Sequence, residues 1–345
     1  MVTVKPIAWR LSEAEWQEVI TGWGYPAYHA RLLWKWLWQK GVAAPLAYSD
    51  LPQALREKLM EAYDWPVPAL IARVESQDGT QKLLWQMPEG GQVESVWIPR
   101  GERATLCLSS QIGCSLNCRF CATGQIGLER NLQAYEIYLQ YHAVRHQLGL
   151  PITNIVYMGM GEPLLNFSAV MGSLEYLTQR AGLSSRRITI STVGIPKGIR
   201  RLAEGDFRGE LAVSLHSAIA EKRQALIPLA ERIALDELKA AIGYYCEKRR
   251  EWITIEYVVL EGVNDSEADA AALRAFVAPP IRAKVNLIVY NPVPGLPFRA
   301  SGRIEAFQRA LLRAGLITTI RRSRGSDIAA ACGQLARRYS VNQKV

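Results

Sequence analysis

Residues 103–124 read RATLCLSSQIGCSLNCRFCATG. A β-rich run carries Cys107, and Cys114, Cys118 and Cys121 follow in a C-x3-C-x2-C spacing. The chain has six cysteines, the others being Cys246 and Cys332. A large chain with its own core does not need disulfide staples. Three cysteines within eight residues therefore point to a metal site. Structural zinc takes four protein ligands, and no fourth Cys or His lies nearby, so a zinc knuckle is the weaker alternative. Thiolates suit a [4Fe–4S] cluster, and three of them leave one iron open to a small molecule.

Beyond Cys121 the pattern alternates. The runs TNIVYM, RITIST, ELAVSL, WITIEYVVL, KVNLIVY and GLITTI alternate with helical patterns near 134–148, 168–180, 235–250, 267–277 and 301–314. This predicts parallel β/α units, an α/β fold in an open or closed barrel with its chemistry at the C-terminal strand ends. Upstream, LIARVES, QKLLWQM, QVESVWI and ATLCLSS read as strands between Gly, Pro and charged turns. The N-terminal part reads as helical. Ser12 and Glu15 make a capping-box pattern, Leu33, Trp34, Leu37 and Trp38 recur at helical spacing over 28–40, and a third helix covers about 51–63. The Trp stripe reads as the core of a small bundle rather than a base-stacking platform. Trp65-Pro66-Val67-Pro68 breaks the pattern. The expected division is a helical domain over 1–66, a β-rich connecting segment over 67–100 and a catalytic core over 101–345.

The net charge is +9, from 41 Lys and Arg against 32 Asp and Glu. A basic chain fits a polyanionic partner, although an unspecialised basic surface gives the same total. Clustering favours the partner: Arg186-Arg187, Arg200-Arg201, Lys248-Arg249-Arg250 and Arg321-Arg322-Ser323-Arg324. No uncharged apolar run has the length of a membrane span, and the start shows no secretory signal. A cytoplasmic protein without a membrane partner is expected.

The strand over 153–158 leads into Gly159-Met160-Gly161-Glu162-Pro163. Glycines after a parallel strand let backbone approach a ligand closely, with a carboxylate at hand for an ammonium group. Later strand ends add Ser191, Ser214-Leu215-His216 and Asn291. Each alone serves as a cap or turn residue; as a set at successive strand ends they read as pocket lining.

The cysteine spacing resembles that of the radical S-adenosylmethionine superfamily, with Phe120 in the aromatic position usual there. The resemblance implies a partial, open β/α barrel and a [4Fe–4S] cluster on Cys114, Cys118 and Cys121. S-adenosylmethionine would chelate the free iron, contact Gly161, Glu162, Ser191, Ser214, Leu215, His216 and Asn291, and be cleaved to a deoxyadenosyl radical. Residues 103–132, the segment RRSRGSDIAAACGQL and the GVNDS turn at 262–266 narrow the match further. They resemble the RNA adenine-C2 methyltransferase family of RlmN type, over nearly the whole chain. Tyr28-His29 stands where that family usually has Phe-Arg.

That family's chemistry implies roles for both isolated thiols. Adenine C2 is neither nucleophilic nor appreciably acidic, so transfer of a methyl cation has nothing to attack it, whereas a carbon radical can add. Cys332 is implied to take a methyl group from one of two S-adenosylmethionine molecules used per turnover. A methylene radical formed from it adds to C2, Glu94 accepts the C2 proton, and Cys107 releases the product by attacking the Cys332 sulfur. A Cys107–Cys332 disulfide results and must be reduced. The implied partners are 23S rRNA, tRNA and an external electron donor, flavodoxin, acting on a monomer. Arg321, Arg322 and Arg324 are expected to hold RNA phosphates, Cys246 to be packing, and His142 and His146 to be surface residues. C8 methylation by the related resistance branch and a non-catalytic RNA-binding protein with a structural cluster are the competing readings.

Overall fold

A strand buried on both faces needs apolar side chains at every position and cover on both sides. The run ITIEYVV comes close to that demand, with Thr254 and Glu256 as its polar members, and every residue of the strand Ile253–Val259 is buried. The computed structural model describes residues 5–335. Its N-terminal helices are α1 (Glu13–Gly22), α2 (Tyr28–Trp34), which continues as a π-helical turn over Lys35–Gln39, and α3 (Gln53–Ala62). An antiparallel meander follows: β1 (Ala69–Glu75), β2 (Gln81–Gln86), β3 (Gln92–Arg100) and β4 (Arg103–Cys107). A separate ribbon pairs β5 (Gln111–Gly113) with β6 (Leu128–Asn131) and frames the cysteine loop.

The β/α units are α4 (Ala134–His142), β7 (Asn154–Tyr157), α5 (Phe167–Glu175), β8 (Ile188–Thr192), α6 (Pro196–Glu204), β9 (Glu210–Ser214), α7 (Ala220–Leu226), α8 (Leu235–Arg249), β10 (Ile253–Val259), α9 (Glu267–Phe276), β11 (Ala283–Val289), α10 (Ile304–Arg313) and β12 (Thr318–Arg321). One ten-stranded sheet runs in the order β1-β2-β3-β4-β7-β8-β9-β10-β11-β12. From β4 onward all neighbours are parallel. β1 and β12 remain edges, so the barrel is open, as expected. No helix among the described residues is long and apolar enough to cross a membrane.

The predicted strands all form. Two helices, α6 and α7, escaped the sequence reading. α6 begins with a proline and contains Gly198, and α7 begins after Ile219, which offers no side-chain cap. The capping box at Ser12 and Glu15 closes as expected, with Ser12 Oγ accepting from Glu15 N–H and the Glu15 carboxylate accepting from Ser12 N–H.

The Trp stripe is core. Trp38 lies 5.4 Å from Trp9, 4.9 Å from Tyr138 and 5.5 Å from Tyr176, ring centre to ring centre, so helical segment and barrel share one apolar cluster. Arg180 stacks on Trp38 and Tyr176 and donates to the carbonyls of Trp9 and Leu11. His142 is not a surface residue. It is buried against Trp9, its Nε2 is 3.0 Å from the Gly41 carbonyl, and burial lowers its pKa to about 4. His142 at the end of α4 and the half-buried His146 in the π-helical turn after it, Ala143–Gln147, pack on the helical segment around Gly41 rather than on water. Cys246 is buried on α8, as expected. Trp38→Ala is expected to lower stability by about 3–5 kcal/mol, the range for emptying a large aromatic site. Chemical denaturation of the purified variant measures this, and a loss below about 1 kcal/mol would mean the shared cluster does not join the two parts.

Candidate active site

The cysteine loop hangs below the end of β4. Cys114 N–H donates to Gly127 O at 2.9 Å, Cys121 N–H to Cys118 O at 3.1 Å, and Arg119 N–H to Leu226 O on α7 at 2.9 Å. A side chain at Gly124 would come within 2.9 Å of the Cys118 backbone, so the loop closes only over glycine there. All three cysteines are free and line one cavity of ≈ 1020 Å³ that opens to solvent. Burial pushes Cys114 up to about 12 and raises Cys118 and Cys121 too. Such sulfurs become thiolates when a metal supplies positive charge. Among the described residues no three His, Cys, Asp or Glu side chains are grouped tightly enough for a single ion. Three thiols lining one cavity are the donor chemistry that an iron–sulfur cluster takes.

The G-x-G-E-P turn faces this loop. Gly161 has φ +97°, and a side chain there would meet Gln111 at 2.6 Å. Gln111 Oε1 accepts from Glu162 N–H at 2.8 Å. The Glu162 carboxylate is held by the N–H groups of Leu164 and Val193, each at 2.9 Å, and burial raises its pKa to about 7. A buried carboxylate at the cavity wall is a natural partner for an ammonium group.

Ser191, Ser214, His216 and Asn291 line the same cavity. Leu215 does not: its side chain is buried in the core, its N–H is taken by Glu256 O at 3.0 Å and its carbonyl by Ser217 N–H at 2.8 Å. His216 sits in the left-handed region at φ +58°, which costs energy for a residue with a Cβ. Asn264, in the GVNDS turn, compensates. Its Nδ2 donates to His216 O at 2.7 Å and Val258 O at 2.8 Å, and its Oδ1 accepts from Leu260 N–H at 2.7 Å. His216 Nδ1 accepts from Val258 N–H at 3.0 Å, leaving Nε2–H as the donor of a ring whose pKa burial lowers to about 3. The ring meets Phe120 of the cysteine loop edge-on, 4.8 Å away.

Cys332 belongs to the same cavity and also to a second one of ≈ 590 Å³ that contains Cys107. The segment after β12 brings it there. Asp327 accepts from Ser76 Oγ at 2.6 Å and Gln77 N–H at 3.2 Å, and Asp78 accepts from Gly325 N–H at 3.1 Å, so this strap is tied to the β1–β2 turn. Ala122 N–H then donates to Gly333 O at 2.7 Å, fixing the strap to the cysteine loop. Arg321 lines both cavities, contrary to its expected place among phosphate-binding residues. It pairs across the sheet with Ile288, a cavity residue, so strand alternation turns it inward. The neighbouring Cys332 sulfur, followed by Glu256 and Cys107, keeps its guanidinium pKa above the usual arginine range. Arg322 and Arg324 are exposed.

Glu94 lines neither cavity. It is fully buried on β3, two residues before Val96, which pairs with Cys107, so both side chains leave the same face of the sheet. Its Oε1 lies 3.6 Å from Nζ of the buried Lys82, and that ammonium also donates to Ala329 O in the strap at 3.4 Å. Thr192, Glu256, Tyr290 and Arg321 are cavity residues that the sequence reading missed. Glu256 had left a signal: a carboxylate in the middle of an otherwise apolar strand.

A profile of the radical SAM superfamily matches residues 108–275. A dual-specificity RNA methyltransferase RlmN from Nitratidesulfovibrio vulgaris is 46% identical over 327 residues, covering 90% of this chain and 89% of its own. One from Solidesulfovibrio magneticus is 43% identical over 332 residues, 93% of each chain. The crystal structure of a radical SAM methyltransferase from Sphaerobacter thermophilus superposes with a TM-score of 0.90 at 38% identity, covering 96% of this chain and 99% of that one.

Asn264→Ala removes three buried hydrogen bonds and should cost about 2–3 kcal/mol of stability. It should also weaken S-adenosylmethionine binding by releasing His216. Denaturation and calorimetric titration read the two effects, and unchanged affinity would detach the GVNDS turn from the site.

Proposed function

The chain belongs to the RlmN family of radical SAM RNA methyltransferases, and from that premise we propose that it methylates C2 of an adenine in 23S rRNA and in tRNA. The observation that carries this reading is the position of Cys332, on the wall between the cavity rimmed by Cys114, Cys118 and Cys121 and the one holding Cys107. A structural cluster in an RNA-binding protein has no need of two further thiols so placed.

Cys114, Cys118 and Cys121 would hold a [4Fe–4S] cluster, and Gly161, Glu162, Ser191, Ser214, His216 and Asn291 would line the S-adenosylmethionine site, with Leu215 outside it. When bound, the cluster supplies the electron that splits S-adenosylmethionine into methionine and a radical able to take hydrogen from an S-methyl group. An external reductant of the flavodoxin class fits the need for that electron. Cys332 accepts the methyl group through its sulfur and presents the carbon that adds to C2. Glu94 accepts the proton lost from C2, from the same face of the sheet as Cys107.

Burial separates the roles of the two thiols. Cys107 is pushed up to about 12 by burial, so it stays a thiol and does not compete with Cys332 for the methyl group. Cys107 has to lose its proton before it attacks the Cys332 sulfur, and Arg321 beside it favours that loss. The sulfur–carbon bond then breaks, the released carbon takes up a proton to complete the methyl group, the adduct gives its one surplus electron back to the redox chain that supplied it, and two electrons from outside restore the thiols. The exposed Arg186, Arg187, Arg200, Lys248, Arg322 and Arg324 supply phosphate contacts, with residues 1–66 as the docking domain, 67–100 as the connection and 101–345 as the catalytic core. One chain contains the whole site, consistent with a cytoplasmic monomer using two S-adenosylmethionine molecules per turnover.

Anaerobic incubation of reconstituted protein with reductant, S-adenosylmethionine and RNA, followed by nucleoside mass spectrometry, should yield 2-methyladenosine, and Cys332→Ala should abolish it. 8-Methyladenosine would reassign the carbon, and no methylated adenosine despite continued S-adenosylmethionine cleavage would overturn the substrate. Iodoacetamide at pH 8 should modify Cys332 well before Cys107 in the reduced protein, as peptide mass spectrometry can follow. Equal rates would contradict the division of labour.

A further inference from the structure

Arg223 lies on α7, three residues before Leu226. The Leu226 carbonyl anchors the cysteine loop through Arg119 N–H, and the Leu226 side chain packs in one cluster with Cys114, Leu116 and Cys118. α7 is thus the wall behind the loop. The Arg223 side chain is turned into that wall and is 1% exposed. Its Nη2 donates to Val193 O at 2.6 Å, while its Nε–H has no protein partner. Among the described residues it makes no ion pair with Asp or Glu. A buried guanidinium with an unmet donor and no carboxylate is costly unless negative charge stands nearby.

The neighbours narrow the source of that charge. His216 cannot supply it, since its ring is neutral, with Nδ1 occupied by Val258 N–H. Val193, whose carbonyl holds the guanidinium, lines the cysteine cavity and packs in one cluster with Cys114, Cys118 and Cys121, which sets the Arg223 cation behind the cysteine sulfurs. Three thiolates on an oxidised [4Fe–4S] core already leave excess negative charge, and reduction adds one electron more.

We propose that Arg223 is the buried counter-charge of the iron–sulfur cluster, a positioning residue that raises its reduction potential so that an external donor can reduce it. The inference rests on the reading of Cys114, Cys118 and Cys121 as cluster ligands. A fixed cation in a medium of low dielectric stabilises the more negative, reduced state more than the oxidised one. The electron comes from the external reductant, and no proton or bond to Arg223 changes hands.

The test compares anaerobically reconstituted full-length wild type, Arg223→Gln and Arg223→Lys. Iron and sulfide content and circular dichroism establish loading and fold, and redox titration followed by electron paramagnetic resonance gives the midpoint of the cluster. The Gln variant should show a ratio of reduced to oxidised cluster about tenfold lower at a fixed potential, a midpoint lower by about 59 mV for one electron. The Lys variant should stay near wild type. A Gln variant with full iron and an unshifted midpoint overturns the proposal, as does a Lys variant that shifts as far as Gln. If Gln fails to load, Lys decides: a loaded cluster at the wild-type midpoint supports the counter-charge, and failure of both variants makes Arg223 structural and overturns it. A wild type that assembles no [4Fe–4S] cluster under the same conditions brings down the ligand reading itself, together with this inference.

Discussion

An open sheet has two edges, and this one depends on a tether to close the gap between them. The segment after β12 cannot pair with β1 as a strand, so it crosses to the β1–β2 turn and is held there by Asp327 and Asp78. These are hydrogen bonds between short polar side chains and backbone, close to water, each worth about 1 kcal/mol net. Their consequence is larger than their energy. They bring residues near position 330 against a cysteine loop some two hundred positions earlier, and the Ala122–Gly333 hydrogen bond fixes the register of that contact. Without the strap the cavity rimmed by the three cysteines would lack Cys332, and Cys107 would face an empty seam.

Burial then gives each sulfur its character. Six cysteines share the same intrinsic chemistry, yet Cys246 is sealed on α8, Cys107 lies under the strap, and Cys332 is half-exposed between two cavities. A thiol in an apolar wall resists ionisation, which suits the late role proposed for Cys107. A thiol at the open cavity next to Arg321 meets the ligand first. The two need no difference in residue type, only a difference in depth, and the tether sets that depth.

The sequence made much of this legible. Strand runs were readable because parallel strands are continuous apolar stretches, and the cysteine spacing marked the loop beyond β4. The long-range contacts were less so. Nothing in the local pattern says that Asp78 will face Gly325 or that Lys82 will touch both Glu94 and the strap, since those pairings follow from how the sheet curls. Arg321 was misread because a run of arginines looks like one surface patch, whereas strand alternation sends its first member inward and leaves Arg322 exposed. His142 was misread for the opposite reason: a polar helical face was taken for a wet one, while the Trp-rich segment that covers it comes from more than a hundred residues earlier. The α6 and α7 helices lack cap signals, and α7 carries Arg223, so its charge also went unread.

Charge in the finished cavity is sorted by wall. Glu162 stands at the end of β7, held by two backbone N–H groups, where an ammonium group is welcome. Arg223 stands behind the cysteine loop and Arg321 lines both cavities with Cys332, so each cation neighbours sulfur. His216, between these regions, is kept neutral by the hydrogen bond to its Nδ1 and by its burial, and it therefore adds a donor without adding charge. If the cavity takes S-adenosylmethionine and a cluster as proposed, a cation at that position would repel a sulfonium, and an anion would oppose the cluster's reduction. The strained backbone of His216, supported by Asn264, is the structural cost of placing a neutral donor where either charge would interfere.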